Sequence, residues 1–219
     1  MCETPATSRE HAPPLCFFPE EAGIGRDLRR NLITVPSCDR HNSVKSKDDE
    51  YFRAVILMQA AQNSDVGRHQ FFQKLLRATA RTPHAYQSFF HDKGTVAGGK
   101  GRALQIDRDR FDSCIDHLSR ALFFDTFKSK WTLPITVISP NLFKEIVSDN
   151  VVPHQPIIRA VDVSRQMLGG KPIRGQNPEI FKYRLDYEKS AVAFAFAAIF
   201  YDSFEVFTFS SSEINELAV

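Results

Sequence analysis

Apolar residues recur every three or four positions through most of the middle of the chain, a spacing that predicts helices. The firmest prediction is a helix from about Arg108 to Phe127, with apolar positions at Phe111, Ile115, Leu118 and Leu122. The same spacing predicts shorter helices over residues 65–80, 83–90, 141–147 and 161–168. Residues 94–101 are rich in Gly and predict a loop, and residues 103–106 predict a short strand.

The C-terminal part of the chain changes to aromatic and β-branched segments separated by Asp, Ser and Lys. These segments span residues 180–187, 192–201 and 204–209, and residues 132–139 form a similar run upstream. Such composition is typical of strands, and short connections between strands favour antiparallel pairing. We therefore expect an antiparallel meander at this end of the chain.

The N-terminal part has little helical pattern and many Pro residues, which predicts loops and short strands. Its best strand is residues 32–35, which Pro36 closes. A short helix can begin at Asn42, and a second helix is predicted from Asp48 to about residue 62, because carboxylates favour the first turn. The change of pattern near residue 53 predicts a soft domain boundary there.

Composition is that of an ordinary globular protein. The 219 residues are 42% hydrophobic and 25% charged, enough to build a substantial core. The net charge of +2 identifies no partner. The longest apolar run, residues 191–201, has about half of the ~20 residues that a spanning helix needs, so no membrane association is expected. Pro, Glu and Arg near the N-terminus do not resemble a signal peptide, and we expect a cytoplasmic protein.

Residues able to carry chemistry are concentrated between positions 9 and 47. Glu10 and His11 place a carboxylate next to an imidazole. With an amide oxygen such as that of Asn42, this pair can bind a hard divalent cation. The imidazole can then activate a water molecule. Cys38 and His41 have a Cys-x-x-His spacing that lets both reach a tetrahedral zinc ion. The four Cys are expected to be reduced, as ligands or core residues.

The order of these residues resembles a known motif. The resemblance is to the HNH endonucleases of the ββα-metal, or His-Me finger, superfamily, in the subgroup braced by a zinc knuckle. It covers about a fifth of the chain and rests on Glu10, His11, Asn31, Cys38, His41, Asn42 and Lys45.

The resemblance implies a role for each residue of an HNN variant. His11 would be the general base that deprotonates the attacking water, and Asn31 would brace the loop that carries it. Asn42 would be the third residue of the motif and, with Glu10, would hold the catalytic divalent ion, Mg²⁺ or Mn²⁺. Glu10 departs from the Asp of many relatives, and its longer side chain would shift the ion relative to His11.

Cys38 and His41 would form the second half of the zinc knuckle, and Cys2 would remain from the first half. The fourth zinc ligand is not obvious: if Met1 is an internal start, a Cys three residues upstream of Cys2 would complete a Cys-x-x-Cys knuckle, and otherwise Cys16 is the nearest substitute. Three ligands hold zinc less well than four, so the missing Cys affects the expected zinc affinity.

The expected fold class is α+β: a small N-terminal ββα-metal finger over residues 1–53, then a mostly helical region and a C-terminal antiparallel sheet within residues 54–219. The implied function is metal-dependent endonuclease, hydrolysing phosphodiester bonds in DNA, with RNA left open. Lys45 and Lys47 would hold neighbouring phosphates, a contact that fixes position without reading sequence. The remainder would choose the substrate or a protein partner, which the sequence does not identify.

Other motifs have simpler explanations. Gly94, Gly99 and Lys100 nearly match a phosphate-binding P-loop, but Gly101 replaces the required Ser or Thr and no strand precedes the motif. Cys114 and His117 repeat the Cys-x-x-His spacing inside a strongly periodic helix, where core packing of the thiol is expected. Two alternatives to a nuclease stay open: a catalytically inactive, zinc-braced module that binds nucleic acid or protein, and an interaction domain with no nucleic-acid role.

Overall fold

The computed structural model describes residues 4–21, 25–83, 91–95, 102–142, 144–147, 150–153 and 155–212. Its secondary structure elements are the strands β1 (Ser8–His11), β2 (Thr34–Ser37), β3 (His91–Thr95), β4 (Arg102–Gln105), β5 (Thr136–Ile138), β6 (Lys144–Val147), β7 (Asn150–Pro153), β8 (Phe181–Glu188), β9 (Ala193–Phe200) and β10 (Phe204–Ser211). The helices are α1 (Asp39–Ala60), α2 (Asp65–Gln70), α3 (Arg77–Arg81), α4 (Arg108–Phe127) and α5 (Gln155–Gly169). The α+β class is confirmed.

The C-terminal strands form the predicted antiparallel meander. Strands β8, β9 and β10 pair in sequence order, and β5 pairs with the outer edge of β10, giving the order β5-β10-β9-β8. Tyr201 and Asp202 connect β9 to β10 with positive φ angles of 51° and 54°, which allow the chain to reverse within a few residues. Residues of α5 contact β8 and β9 on this sheet.

Helix α4 packs against the meander and has the predicted bounds. Its first turn is capped by the Asp107 side chain, which accepts a hydrogen bond from the Arg110 amide at 3.0 Å. The ring centroids of Phe123 and Phe194 lie 5.2 Å apart, edge to face. The buried hydroxyls of Ser119 and Thr208 lie 3.3 Å apart, so the polar atoms between the helix and β10 also meet.

Helix α1 joins the N-terminal segment to the same core. Phe52 contacts the rings of Phe17, Phe111 and Phe200 at centroid distances of 5.1, 5.5 and 5.6 Å. All four rings are 1% exposed or less, and burying one such side chain contributes about 1.5 to 3 kcal/mol. The hydroxyl of buried Tyr201 donates to the Phe17 carbonyl at 2.7 Å, which ties this segment to the sheet.

The predicted boundary near residue 53 falls inside α1, where Phe52, Arg53 and Ala54 are buried. Core residues on both sides of that position belong to one cluster. The division into residues 1–53 and 54–219 stays a prediction. Within the described ranges, no helix is both long and apolar enough to cross a membrane.

Two helix predictions were wrong. The two helices expected near Asn42 and from Asp48 are one helix, α1, because no Gly or Pro interrupts the segment and Asp48 pairs with Arg110 of α4 at 2.7 Å. The helix predicted over residues 141–147 is replaced at its end by strand β6, in which Ile146 lies opposite Val151 of β7. β-branched residues on both strands favour this pairing.

The other helical segments agree in type and differ in extent. The helix predicted over residues 65–80 is formed by α2, a π-helical turn at Phe71–Leu76 and α3. Helix α5 begins at Gln155, earlier than the predicted residue 161, because Pro156 suits a first helical turn. The helix predicted over residues 83–90 lies almost entirely outside the described residues.

Several predicted strands and loops are shifted. The strand expected at residues 32–35 is β2, and Pro36 lies within it, in a two-stranded hairpin where its missing N–H is tolerated. The strand expected over residues 132–139 is the shorter β5, and that expected over 103–106 is β4. Gly94 and Thr95, predicted in a loop, belong to β3; residues 96–101 lie outside the described residues.

Candidate functional site

The candidate site lies where the antiparallel strand pair β1–β2 meets the start of α1. This pair is called the hairpin below, although residues 12–33 separate its two strands. In the hairpin Glu10 lies opposite Val35 and His11 opposite Thr34. Only Cys38 separates β2 from α1, so the helix begins beside the hairpin. The Thr7 hydroxyl accepts a hydrogen bond from the Asp39 amide at 3.1 Å, which fastens the strand segment to the first turn of the helix.

Glu10 faces α1. The Ser37 hydroxyl donates to Glu10 Oε2 at 3.2 Å, and Lys45 Nζ of α1 lies 3.5 Å from Glu10 Oε1. The side chains of Lys45 and Glu10 are only 15% and 17% exposed, so the ion pair is partly shielded from water. The carboxylate predicted to bind a divalent ion therefore already has a cation beside it.

His11 ends β1 with a ring that is partly buried. Its Nδ1 atom is buried and has no hydrogen-bond partner in the described part of the chain. Burial lowers the pKa of this ring below its ordinary value of 6.5, and the nearby positive charge of Arg29 lowers it further. The ring is therefore neutral near pH 7 and has a lone pair available to accept a proton.

Glu10 and His11 are consecutive residues of a strand, so their side chains leave it in opposite directions. Glu10 meets Lys45, whereas the nearby charge that acts on His11 is Arg29. Arg29 is held by a hydrogen bond from its Nε to the Phe18 carbonyl at 3.0 Å. An ion bound to Glu10 and the His11 ring would lie on opposite faces of β1. They could act on the same phosphate only if that phosphate lay at the end of the strand, next to His11.

The remaining predicted residues are described to different extents. Asn31 is exposed and has a φ of 56°, a left-handed conformation that Asn adopts more readily than most residues. Cys38 is 5% exposed and directly precedes α1. The backbones of His41 and Asn42 lie in the first turns of α1, but their side chains, like all of Cys2, lie outside the described residues.

Both predicted phosphate-binding lysines lie on α1, in different surroundings. Lys45 is paired with Glu10, whereas Lys47 is exposed. The Lys47 carbonyl accepts a hydrogen bond from Arg110 Nη2 at 3.0 Å, which holds this turn of α1 against α4. The Lys47 side chain is therefore more exposed to solvent than the Lys45 side chain.

Asp49 is a residue of the site that was not anticipated. It follows Lys45 by one helical turn, and its Oδ1 atom is buried without a hydrogen-bond partner in the described part of the chain. Burial raises its pKa to about 6, with Lys45 opposing the rise and Glu10 adding to it. Three charged groups therefore interact on this side of the hairpin. The spacing of Lys45 and Asp49 was visible in the sequence, but the burial of Asp49 was not.

Among the described side chains, no group of three or more His, Cys, Asp and Glu residues is arranged to hold a metal ion. The side chains of His41 and Asn42, and the whole of Cys2, fall outside that set. The predicted divalent-ion site and the predicted zinc site therefore stay predictions. Cys114 is 4% exposed within the core cluster, as expected for a packed thiol.

Comparison with known proteins gave no relatives. A scan against models of protein families, a search of curated proteins and a search of solved structures each found no match. The chemistry of the site therefore rests on the residues described above.

Proposed function

We propose that this chain is a metal-dependent endonuclease of the HNH type that hydrolyses phosphodiester bonds in DNA, with RNA as the other candidate substrate. The observation that carries the proposal is the hairpin followed at once by a helix. This unit bears Glu10 beside α1 and, at the end of β1, His11, whose pKa is lowered by burial. A strand pair that leads into a helix is the arrangement that the resemblance implies.

His11 is the proposed general base. Its neutral ring takes a proton from a water molecule as the water oxygen attacks the phosphorus atom, and the bond from phosphorus to the leaving oxygen breaks. No hydrogen bond within the described chain occupies Nδ1 of this ring. General-base catalysis of this kind contributes about 10²- to 10⁴-fold to the rate. Asn31 positions the loop that supports the ring.

Glu10 and Asn42 are the proposed ligands of a divalent ion, Mg²⁺ or Mn²⁺, which when bound would stabilise the charge on the phosphate and the leaving oxygen. Mg²⁺ commonly uses one or two carboxylates and keeps several waters, so a site with few protein ligands is compatible with it. The ammonium group of Lys45 beside Glu10 supports the view that this carboxylate accommodates a cation. Cys38, His41 and Cys2 would hold a structural zinc ion.

Lys45 and Lys47 are the proposed contacts to neighbouring phosphates. Lys47 is exposed and free of the Glu10 pair, so it is the first candidate for a contact with the phosphate backbone. Such contacts give affinity that falls with salt and does not depend on base sequence.

A plasmid-nicking assay with Mg²⁺ or Mn²⁺ tests the proposal. The wild type should cut DNA, and His11→Ala should lower the rate about 10²-fold or more because the proton acceptor is lost. His69→Ala, a substitution on α2 away from the hairpin, is the matched control and should cut like the wild type. Cutting that survives His11→Ala would reject the assigned mechanism.

A second candidate function is a catalytically inactive, zinc-braced module that binds nucleic acid or protein. The observation in its favour is that Lys45 already neutralises Glu10, while His11 leaves the strand in the opposite direction. Retained DNA binding at low salt, without cutting under any divalent ion, would select this function over the nuclease.

A further inference from the structure

Lys45 forms an ion pair with Glu10, the carboxylate proposed to bind a divalent ion. Its ammonium nitrogen lies 3.5 Å from Glu10 Oε1, while the other carboxylate oxygen accepts from Ser37. Both side chains are partly buried. When the pair separates, water therefore does not fully solvate the Lys45 ammonium group. An ion that binds Glu10 must therefore displace a cation that needs another partner.

Asp49 is a second partner within reach of Lys45. The two residues are four positions apart on α1, which brings their side chains to the same face of the helix. Asp49 Oδ1 is buried without a hydrogen-bond partner in the described chain, so it has an acceptor position to offer. A Lys side chain has four flexible methylene groups and three donors, which allows it to move between two carboxylates.

We propose that Lys45 is a positioning residue that moves between two carboxylates. It neutralises Glu10 before a divalent ion binds, and it moves to Asp49 when the ion takes Glu10. The inference rests on the proposed function, because it assumes that Glu10 is an ion ligand. It gives Lys45 a role at the ion site that the proposed phosphate contact does not include, and it gives Asp49 the role of accepting the displaced ammonium group.

Mn²⁺ binding to the full chain, measured from the electron paramagnetic resonance signal of the free ion, tests this inference. Lys45→Met should bind Mn²⁺ about fivefold more tightly, because the competing ammonium group of a partly shielded pair is gone. Lys189→Met removes the same charge from an exposed position outside the proposed site, and should bind Mn²⁺ like the wild type.

The Asp49→Asn substitution shows whether Asp49 pairs with the displaced Lys45 or binds the ion directly. It should bind Mn²⁺ about twofold to threefold more weakly in the wild-type background, because displaced Lys45 has lost its second partner. In the Lys45→Met background the same substitution should have little effect. An equal weakening in both backgrounds would show that Asp49 contacts the ion and would overturn the inference.

Two further outcomes separate this inference from the proposed function. If Glu10→Gln abolishes Mn²⁺ binding but Lys45→Met leaves it unchanged, the inference is overturned and the nuclease proposal stands. If the wild type neither binds Mn²⁺ nor cuts DNA, the proposed function fails and the inference falls with it. Far-ultraviolet circular dichroism and thermal melts of each variant establish that the fold is kept.

Discussion

The C-terminal sheet and the N-terminal hairpin–helix unit use their buried positions differently. Between α4 and the sheet, aromatic rings pack edge to face and polar groups meet each other, as Trp131 Nε1 donates to Ser210 at 2.9 Å. Around the hairpin, the buried atoms without hydrogen-bond partners in the described chain belong to ionisable groups, His11 Nδ1 and Asp49 Oδ1, whereas on α4 such an atom belongs to the neutral Thr126 hydroxyl. The two regions therefore differ in whether the buried groups without partners can carry charge.

This difference has an energetic consequence. A buried polar atom without a partner costs about 1 to 3 kcal/mol, so a fold retains such atoms only where other contacts compensate. Here the compensation comes from rings such as Phe17 and Phe52, which join the N-terminal segment and α1 to the sheet. Removing one of these rings should therefore lower stability, whereas neutralising a buried carboxylate that has no hydrogen-bond partner should raise it.

The largest expected effect is the loss of the ring that joins the two regions. Phe200 lies 5.3 Å from Phe17, 5.6 Å from Phe52 and 4.9 Å from Phe181, measured between ring centroids. Phe200→Ala should lower the free energy of unfolding by about 3 to 5 kcal/mol, because it removes buried area and leaves a cavity. Urea unfolding followed by tryptophan fluorescence measures this change.

The control for this prediction is Phe72→Ala, at a side chain that is 55% exposed. It should change the free energy of unfolding by about 0.5 kcal/mol or less, as most surface substitutions do. A similarly small loss for Phe200→Ala would mean that the sheet and the N-terminal region do not share one core.

The next largest effect should be a gain in stability at Asp49. Its carboxyl has a pKa of about 6 in the fold, against an ordinary value of 3.8, mainly because of burial. Asp49→Asn should raise the free energy of unfolding at pH 8 by about 1 to 2 kcal/mol, less than the full shift implies because the residue is partly exposed. Thermal or urea unfolding at several pH values measures it.

The sign follows from proton uptake. Below pH 3.8 the Asp49 carboxyl is protonated in both states, so its charge does not penalise the fold. As pH rises from 3.8 to about 6, the unfolded chain loses this proton first, and the folded state becomes progressively less stable. The gain from Asp49→Asn should therefore be larger at pH 8 than at pH 4.5. A gain that is equal at both values, or a loss at pH 8, would contradict the assigned cause.

The sheet and α4 could be predicted because their signals are local. The helical spacing in α4 and the aromatic, β-branched segments of β8 to β10 indicate the elements directly. Strand β6 and the single helix α1 could not be predicted in the same way. Whether β6 forms depends on its pairing with β7, and Asp48, which suggested the start of a helix, lies inside α1 and pairs with Arg110 of α4.

The sequence suggested residues for the candidate site but not their contacts. The types and order of Glu10, His11 and Asn42 carry the resemblance, whereas the partner of Glu10 is a lysine that the same resemblance suggested for phosphates. Arg29 and Asp49 were not anticipated, because a charge near His11 and a buried carboxylate on α1 arise only when the chain folds. The charged groups that lie near a site residue come from distant parts of the sequence, so only the folded structure identifies them.

The smallest expected effect concerns the His11 ring. Burial is the larger cause of its lowered pKa and the charge of Arg29 is the smaller one. Arg29→Met should therefore raise the pKa of His11 but leave it below 6.5, and Arg30→Met, a change at the exposed neighbour, should leave it unaltered. Titration of the ring resonance by nuclear magnetic resonance, assigned with His11→Gln, measures the change.

The direction of that change also distinguishes a base from a buried structural ring. If His11 accepts the proton in catalysis, the acidic limb of the cleavage rate against pH follows the pKa of its ring, so Arg29→Met should move that limb to higher pH. A limb that stays in place while the ring titration moves would assign the proton to another group. A ring pKa above 6.5 in Arg29→Met would mean that charge, and not burial, keeps His11 neutral.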